Sequence, residues 1–203
     1  DCYGDRVKYW LTFNEQNIFH MPEAFRISGY MKGEQTLREL YELQHHAMVA
    51  HMTLTEYLHQ TKPGKLMGGM LAHQLIYPAT CKPRDIFCAQ QYDEFLNQNL
   101  LRVFAGQGYS PAVMAVVEQE GFGDIYRADD LALFARTKND FMAFSYYASK
   151  TLDSDAIPEG TPVNHYLLHG EKNNPYLKAT EWNWQIDPLG FRTIITRYAN
   201  DWR

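Results

Sequence analysis

The chain has 203 residues, 45% of them apolar and 21% charged, with a formal net charge of -5. That composition excludes a disordered chain, and the acidic balance gives no electrostatic reason to expect nucleic acid or an anionic membrane as partner. No apolar run approaches the roughly 20 residues that span a bilayer, and no basic-then-apolar signal opens the chain, so a soluble, cytoplasmic protein is expected.

Val7-Lys8-Tyr9-Trp10-Leu11-Thr12-Phe13 is aromatic and β-branched and ends in polar Asn14-Glu15. This predicts a buried strand that delivers polar groups at its C-terminal end. From about Thr36 to Gln60, Leu37, Leu40, Leu43, Ala47, Ala50 and Leu54 recur at three- and four-residue steps. The spacing predicts a long amphipathic helix, stopped by Lys62-Pro63-Gly64. Lys65 to Ala72 is a second strand, with a loop between Pro78 and Pro83. Helices are predicted over 86–105, stopped by Gly106-Gln107-Gly108, then over 112–119 and 129–136.

Asp140 to Tyr147 is a third strand with a polar, aromatic end. A long excursion from Lys150 to Asp187 has little periodicity, and Pro188 opens a last helix over 189–202. Strands alternating with helices build parallel sheets. Open doubly wound sheets and (β/α)8 barrels both remain open, and both place active sites at the carboxyl ends of strands. Three strands are too few to close a barrel, and exposed strand edges would favour homo-oligomers.

Asn14-Glu15 is the strongest chemical candidate. A carboxylate in an apolar surround can hold a proton near neutral pH and give it to a leaving oxygen, and the adjacent amide can hydrogen-bond a hydroxyl. On pattern alone, Asn-Glu after a strand reads first as a helix N-cap. Glu42-x-x-His45 and Glu56-x-x-His59 have the spacing of di-iron bundles. They lie on one helix, about 21 Å apart along its axis, so they cannot share a metal; no metal or other cofactor is expected. Cys2, Cys81 and Cys88 form an odd set without a CxxC pair, which fits a reduced compartment. No G-x-S-x-G elbow exists, and neither Gly-rich segment follows a strand as a phosphate loop must.

Trp10-Leu11-Thr12-Phe13-Asn14-Glu15 resembles the W-x-T-x-N-E signature of glycoside hydrolase family 1, at the end of that family's fourth barrel strand. Lys65 to Ala72 with Tyr77-Pro78 resembles its fifth strand and loop, and Asp140 to Tyr147 its sixth strand. Glu181-Trp182-Asn183-Trp184-Gln185-Ile186-Asp187-Pro188, with Gly190-Phe191-Arg192, resembles the loop and helix before the seventh. Gln16 stands where most members have Pro, and Ser145 where most have Asn. With the E-W-x-W-Q-I-D-P loop, these departures look like the 6-phospho-β-glucosidase branch.

The resemblance implies α/β architecture: a partial (β/α)8 (TIM) barrel, about strands four to six, with residues 1–203 as one segment. It implies Glu15 as general acid/base and Asn14 as the contact to the sugar's C2 hydroxyl. Ser145 and Tyr147 join the substrate-binding set, Tyr147 matching the tyrosine that contacts the nucleophile. Trp182 and Trp184 would line the leaving-group side. For Tyr147 and the two Trp residues the plain alternative is core or loop packing. The substrate would be a phosphorylated disaccharide or aryl β-glucoside. The family's nucleophile, in a T-E-N-G segment of the seventh strand, and its phosphate-gripping residues have no counterpart here, so this stretch alone is expected to be inactive. The alternatives are an ordinary β-glucosidase of the same family, or a non-catalytic, self-associating piece of barrel.

Overall fold

A computed structural model describes residues 3–21 and 35–202. The chain divides into two compact units, residues 1–71 with 99–145, and residues 72–98 with 146–203. Cys2 lies outside the described residues, whereas Cys81 is an exposed and Cys88 a buried free thiol.

The first unit is built on a three-stranded sheet in the order β1 (Tyr9–Leu11), β2 (Leu66–Ala72), β4 (Phe141–Ser145). β1 and β2 run parallel, Tyr9 opposite Leu66 and Leu11 opposite Gly68. The first strand is shorter than its apolar run predicts, because only three of its residues find a partner strand. β2 explains its own glycine pair. A Cβ on Gly68 would collide with the ring of Phe141, and one on Gly69 with the ring of Phe104. Each face of the strand thus lets an aromatic ring reach the backbone.

Between β1 and β2 runs α1 (Leu37–Thr61), started by a complete capping box. Thr36 Oγ1 accepts from Glu39 N–H, and the Glu39 carboxylate accepts from Thr36 N–H at 2.8 Å. Its buried stripe differs from the one its leucines suggest. Leu40, Tyr41, Met48 and Met52 are buried, but so are Gln44, His45, His51 and Thr55, while Ala50 and Leu54 face outward. Polar side chains take the inner face because partners wait for them there. α3 (Asn99–Phe104), α4 (Pro111–Gln119) and α5 (Ala128–Arg136) complete the unit, α5 packing on α1.

The second unit contains a sheet that the sequence reading did not foresee, in the order β3 (Ile76–Pro78), β5 (Lys150–Leu152), β6 (Glu171–Lys172). β3 and β5 are parallel, and β5 and β6 antiparallel. Strands of two and three residues are too short to show an alternating pattern, so the 150–187 excursion reads as loop. It also holds α6 (Tyr166–Gly170). α2 (Pro83–Asp93) passes into a π-helical stretch, Glu94–Gln98, and packs on β3 and β5. Asp85 in its first turn accepts from Ser154 N–H, Ser154 Oγ and Thr80 Oγ1, and these bonds hold its carboxyl down at about 2. α7 (Pro188–Asp201) closes the chain, with Pro188 at its first position as the sequence predicts.

Candidate active site

β1 ends at Leu11, and the next four residues carry the polar groups of the first unit's strand end. Glu15 is 8% exposed, whereas Asn14 beside it is exposed. Glu15 has φ 47° and ψ 53°, the left-handed region, which a residue with a side chain occupies only when its surroundings hold it there. It leads into a 3₁₀ turn, Gln16–Ile18, and Ile18 N–H donates to its carbonyl at 3.1 Å. Glu15 stands at the N-cap position of that turn, but its carboxylate makes no cap bond to it. Glu15 N–H donates to Met70 Sδ at 3.1 Å, and Gln16 Nε2 donates to Met48 Sδ.

Thr12, three residues before Glu15, meets His51 Nδ1 through Oγ1 at 2.6 Å. The other ring nitrogen, Nε2, lies 2.7 Å from Asn139 Nδ2. Burial drives the imidazole down to about 4, so His51 is neutral at physiological pH. His51 belongs to none of the Glu-x-x-His pairs that the sequence offers. Its signal was its place on α1, six residues beyond His45 and facing inward with it.

The remaining histidine pattern resolves into local pairs. His45 Nε2–H donates to Asp130 Oδ2, and Tyr109 hydroxyl donates to His45 Nδ1, both at 3.1 Å. His59 Nε2–H donates to Asp140 Oδ2. Glu42 is taken by Arg38 and Glu56 by Arg136. Among the described residues no three His, Cys, Asp or Glu side chains converge as a metal site. A cleft of about 350 Å³ in the same unit, lined by Arg38, Glu42, His46 and Asp124 among others, contains none of the predicted site residues.

Ser145 is the half-buried last residue of β4. Tyr147, Trp182 and Trp184 belong to the second unit, where they form an exposed aromatic group. The Tyr147 and Trp184 rings are 5.4 Å apart, and those of Trp182 and Trp184 6.1 Å apart. At 46%, 80% and 44% exposure, these rings are not core; they pack on one another as loop residues. Two buried side chains fix the loop that carries the tryptophans. Gln185 accepts from Asn174 N–H at 2.9 Å and donates to Asn174 carbonyl at 3.0 Å. Asp187 Oδ2 accepts from Tyr77 hydroxyl at 2.9 Å and Ser149 Oγ at 2.6 Å, while its Oδ1 caps α7 through Gly190 N–H. Burial, reinforced by this bond, pushes the Tyr77 phenol up to about 12.

Among solved structures, the chain superposes on the psychrophilic β-glucosidase BglU from Micrococcus antarcticus with a TM-score of 0.81 and 22% identity, over 98% of this chain and 45% of that one. For the family 1 β-glucosidase from Thermotoga maritima in complex with isofagomine lactam, the TM-score is 0.77 at 20% identity, over 98% and 42%. The fold is therefore that of part of a (β/α)8 barrel. The profile described as Glycosyl hydrolase family 1 matches residues 1–203, and the chain belongs to that family. Two curated relatives refine the neighbourhood. The 6-phospho-β-glucosidase AscB of Escherichia coli K12 is 34% identical over 96% of this chain and 40% of its own length. The aryl-phospho-β-D-glucosidase BglH of Bacillus subtilis 168 is 35% identical over 97% and 42%. The chain thus spans about two fifths of the length of these relatives.

Proposed function

We propose that residues 1–203 are the acid/base-bearing portion of a retaining 6-phospho-β-glucosidase, acting on phosphorylated disaccharides or aryl β-glucosides. The observation that carries this is the placement of Glu15, a buried carboxylate beside exposed Asn14 at the end of a barrel strand. It stands in a chain whose relatives are named for that substrate class. Glu15 protonates the glycosidic oxygen while a second carboxylate, roughly 5–5.5 Å away, attacks the anomeric carbon to form a glycosyl-enzyme. Glu15, now ionised, takes a proton from water, which releases the sugar with retained configuration. Asn14 holds the C2 hydroxyl, and Ser145 and Tyr147 line the sugar side. Trp182 and Trp184 offer flat apolar faces to the leaving group. The second carboxylate and the phosphate-binding groups come from the part of the relatives' length that this stretch does not match. No metal or organic cofactor enters the mechanism.

The test is hydrolysis of p-nitrophenyl β-D-glucoside 6-phosphate, beside the unphosphorylated glucoside. It compares the 203-residue chain with a polypeptide extended to the length of the relatives, each with and without Glu15→Gln. The extended enzyme is expected to work, to prefer the phosphorylated substrate, and to lose about 10²–10⁴-fold with Glu15→Gln. Turnover by the 203 residues alone, unchanged by Glu15→Gln, would overturn the assignment.

A further inference from the structure

Glu15 occupies a strained backbone position, and strain of this kind persists only where neighbouring groups over-determine the geometry. Met70 Sδ, from β2, accepts the Glu15 N–H. The second support is longer, and it runs through His51. With Asn139 Nδ2 donating to Nε2, the neutral ring keeps its one proton on Nδ1 and donates it to Thr12 Oγ1. Both nitrogens are satisfied, so tautomer and ring plane are fixed.

The far end of this line is itself anchored. Asn139 N–H donates to Phe104 carbonyl at 2.8 Å, and the Phe104 ring packs against the imidazole in an edge-to-face arrangement. Next to Asn139, Asp140 exchanges two bonds with β2. Its N–H donates to Met67 carbonyl, and its carboxylate accepts from Met67 N–H, each at 2.8 Å. His51 therefore ties the residue that follows β1 to the residues that lead into β4, and does so from the fully buried face of α1. From α1 it holds Thr12, three residues before Glu15, while Met48 of the same helix accepts from Gln16 Nε2 just after Glu15.

We propose that His51 is a positioning residue for the acid/base carboxylate, acting through Thr12 to set the posture of the Asn14-Glu15 turn. This rests on Glu15 being the acid/base of a retaining glycosidase. A displaced proton donor slows only those leaving groups that need a proton, whereas a loosened fold slows all substrates alike.

The experiment uses the intact enzyme of which these residues form part, with phenyl and 2,4-dinitrophenyl β-D-glucoside 6-phosphates. Dinitrophenolate departs without proton assistance, and phenolate does not. The expected result is that Thr12→Val and His51→Leu each slow the phenyl substrate by about ten- to a hundredfold. Their pre-steady-state release of dinitrophenol stays within about twofold of wild type. Azide, which needs no general base, accelerates their steady-state turnover of the dinitrophenyl substrate. His51→Gln, which keeps one donor and one acceptor, retains most of the activity, and the Thr12→Val/His51→Leu pair is no slower than the slower single variant. Should His51→Leu fail to fold, Thr12→Val and His51→Gln carry the test, since Thr12→Val is nearly isosteric. Glu15→Ala is run alongside. If it shows the selective loss and the azide response while the Thr12 and His51 variants lose equally on both substrates without azide response, His51 only supports the fold and the proposal falls. If Glu15→Ala lacks the selective loss, the acid/base reading falls, and the positioning role with it.

Discussion

Gly69→Ala is the substitution whose effect follows most directly from the coordinates. Gly69 lies in the middle of β2 with an ordinary strand φ, so alanine meets no backbone strain there. A Cβ at this position would stand 2.5 Å from Cε2 and Cγ of Phe104, against an optimal carbon–carbon separation of about 3.5–4.0 Å. The ring cannot swing aside, because Phe104 is fully buried. Overpacking of this kind costs about 1–3 kcal/mol. The reduced freedom of the unfolded chain returns about 0.4–1 kcal/mol, which caps the net loss at about 2.6 kcal/mol, and a clash this deep against a fully buried ring sets it at about 1–2 kcal/mol. For a chain of this size that lowers the melting temperature by about 2–8 °C. In urea titration the midpoint should fall with an unchanged slope. Phe104→Leu alone leaves a cavity and also destabilises, but the double variant should be more stable than the sum of the two by more than about 0.5 kcal/mol. A Gly69→Ala protein as stable as wild type, or strict additivity with Phe104→Leu, would refute the claim that the glycine exists to admit the ring.

Two further outcomes follow from buried polar groups. Burial pushes both His51 and His73 down to about 4 from 6.5. The unfolded chain therefore takes up their protons first as pH falls. Their stabilising share is complete above pH 6.5, is lost progressively down to pH 4, and amounts to about 3 kcal/mol for each. Urea midpoints should accordingly be lower at pH 5 than at pH 7.5, and equal midpoints would contradict the burial of neutral imidazoles. Asp187→Ala removes the cap of α7 and leaves the Tyr77 hydroxyl without its carboxylate acceptor. A cost of about 2–4 kcal/mol is expected, with a changed tryptophan emission spectrum, because Asp187 ends the loop that carries Trp182 and Trp184. A loss under about 0.5 kcal/mol with unaltered emission would show that the loop is held by other contacts.

The sequence by itself determined whatever rests on contacts between near neighbours in the chain. Thr36 and Glu39 set the start of α1 and Lys62-Pro63-Gly64 its end, and Pro188 marked the first residue of α7. The apolar runs located β2 and β4, and the W-x-T-x-N-E run placed Glu15 just after β1. Tertiary structure decided what depends on partners far along the chain. Which stripe of α1 turns inward follows from Thr12, Tyr109, Asp130 and Asn139, which receive His51 and His45, so the buried stripe takes in Leu40 and Ala47 but leaves Ala50 and Leu54 outside. The sheet of β3, β5 and β6 exists because residues more than seventy positions apart pair over three-residue lengths, too short to leave a periodic trace. The left-handed turn at Glu15 has no local cause such as glycine. A thioether from β2 accepts its N–H and an imidazole from α1 meets Thr12 three residues earlier, and only folding brings those atoms to the end of β1.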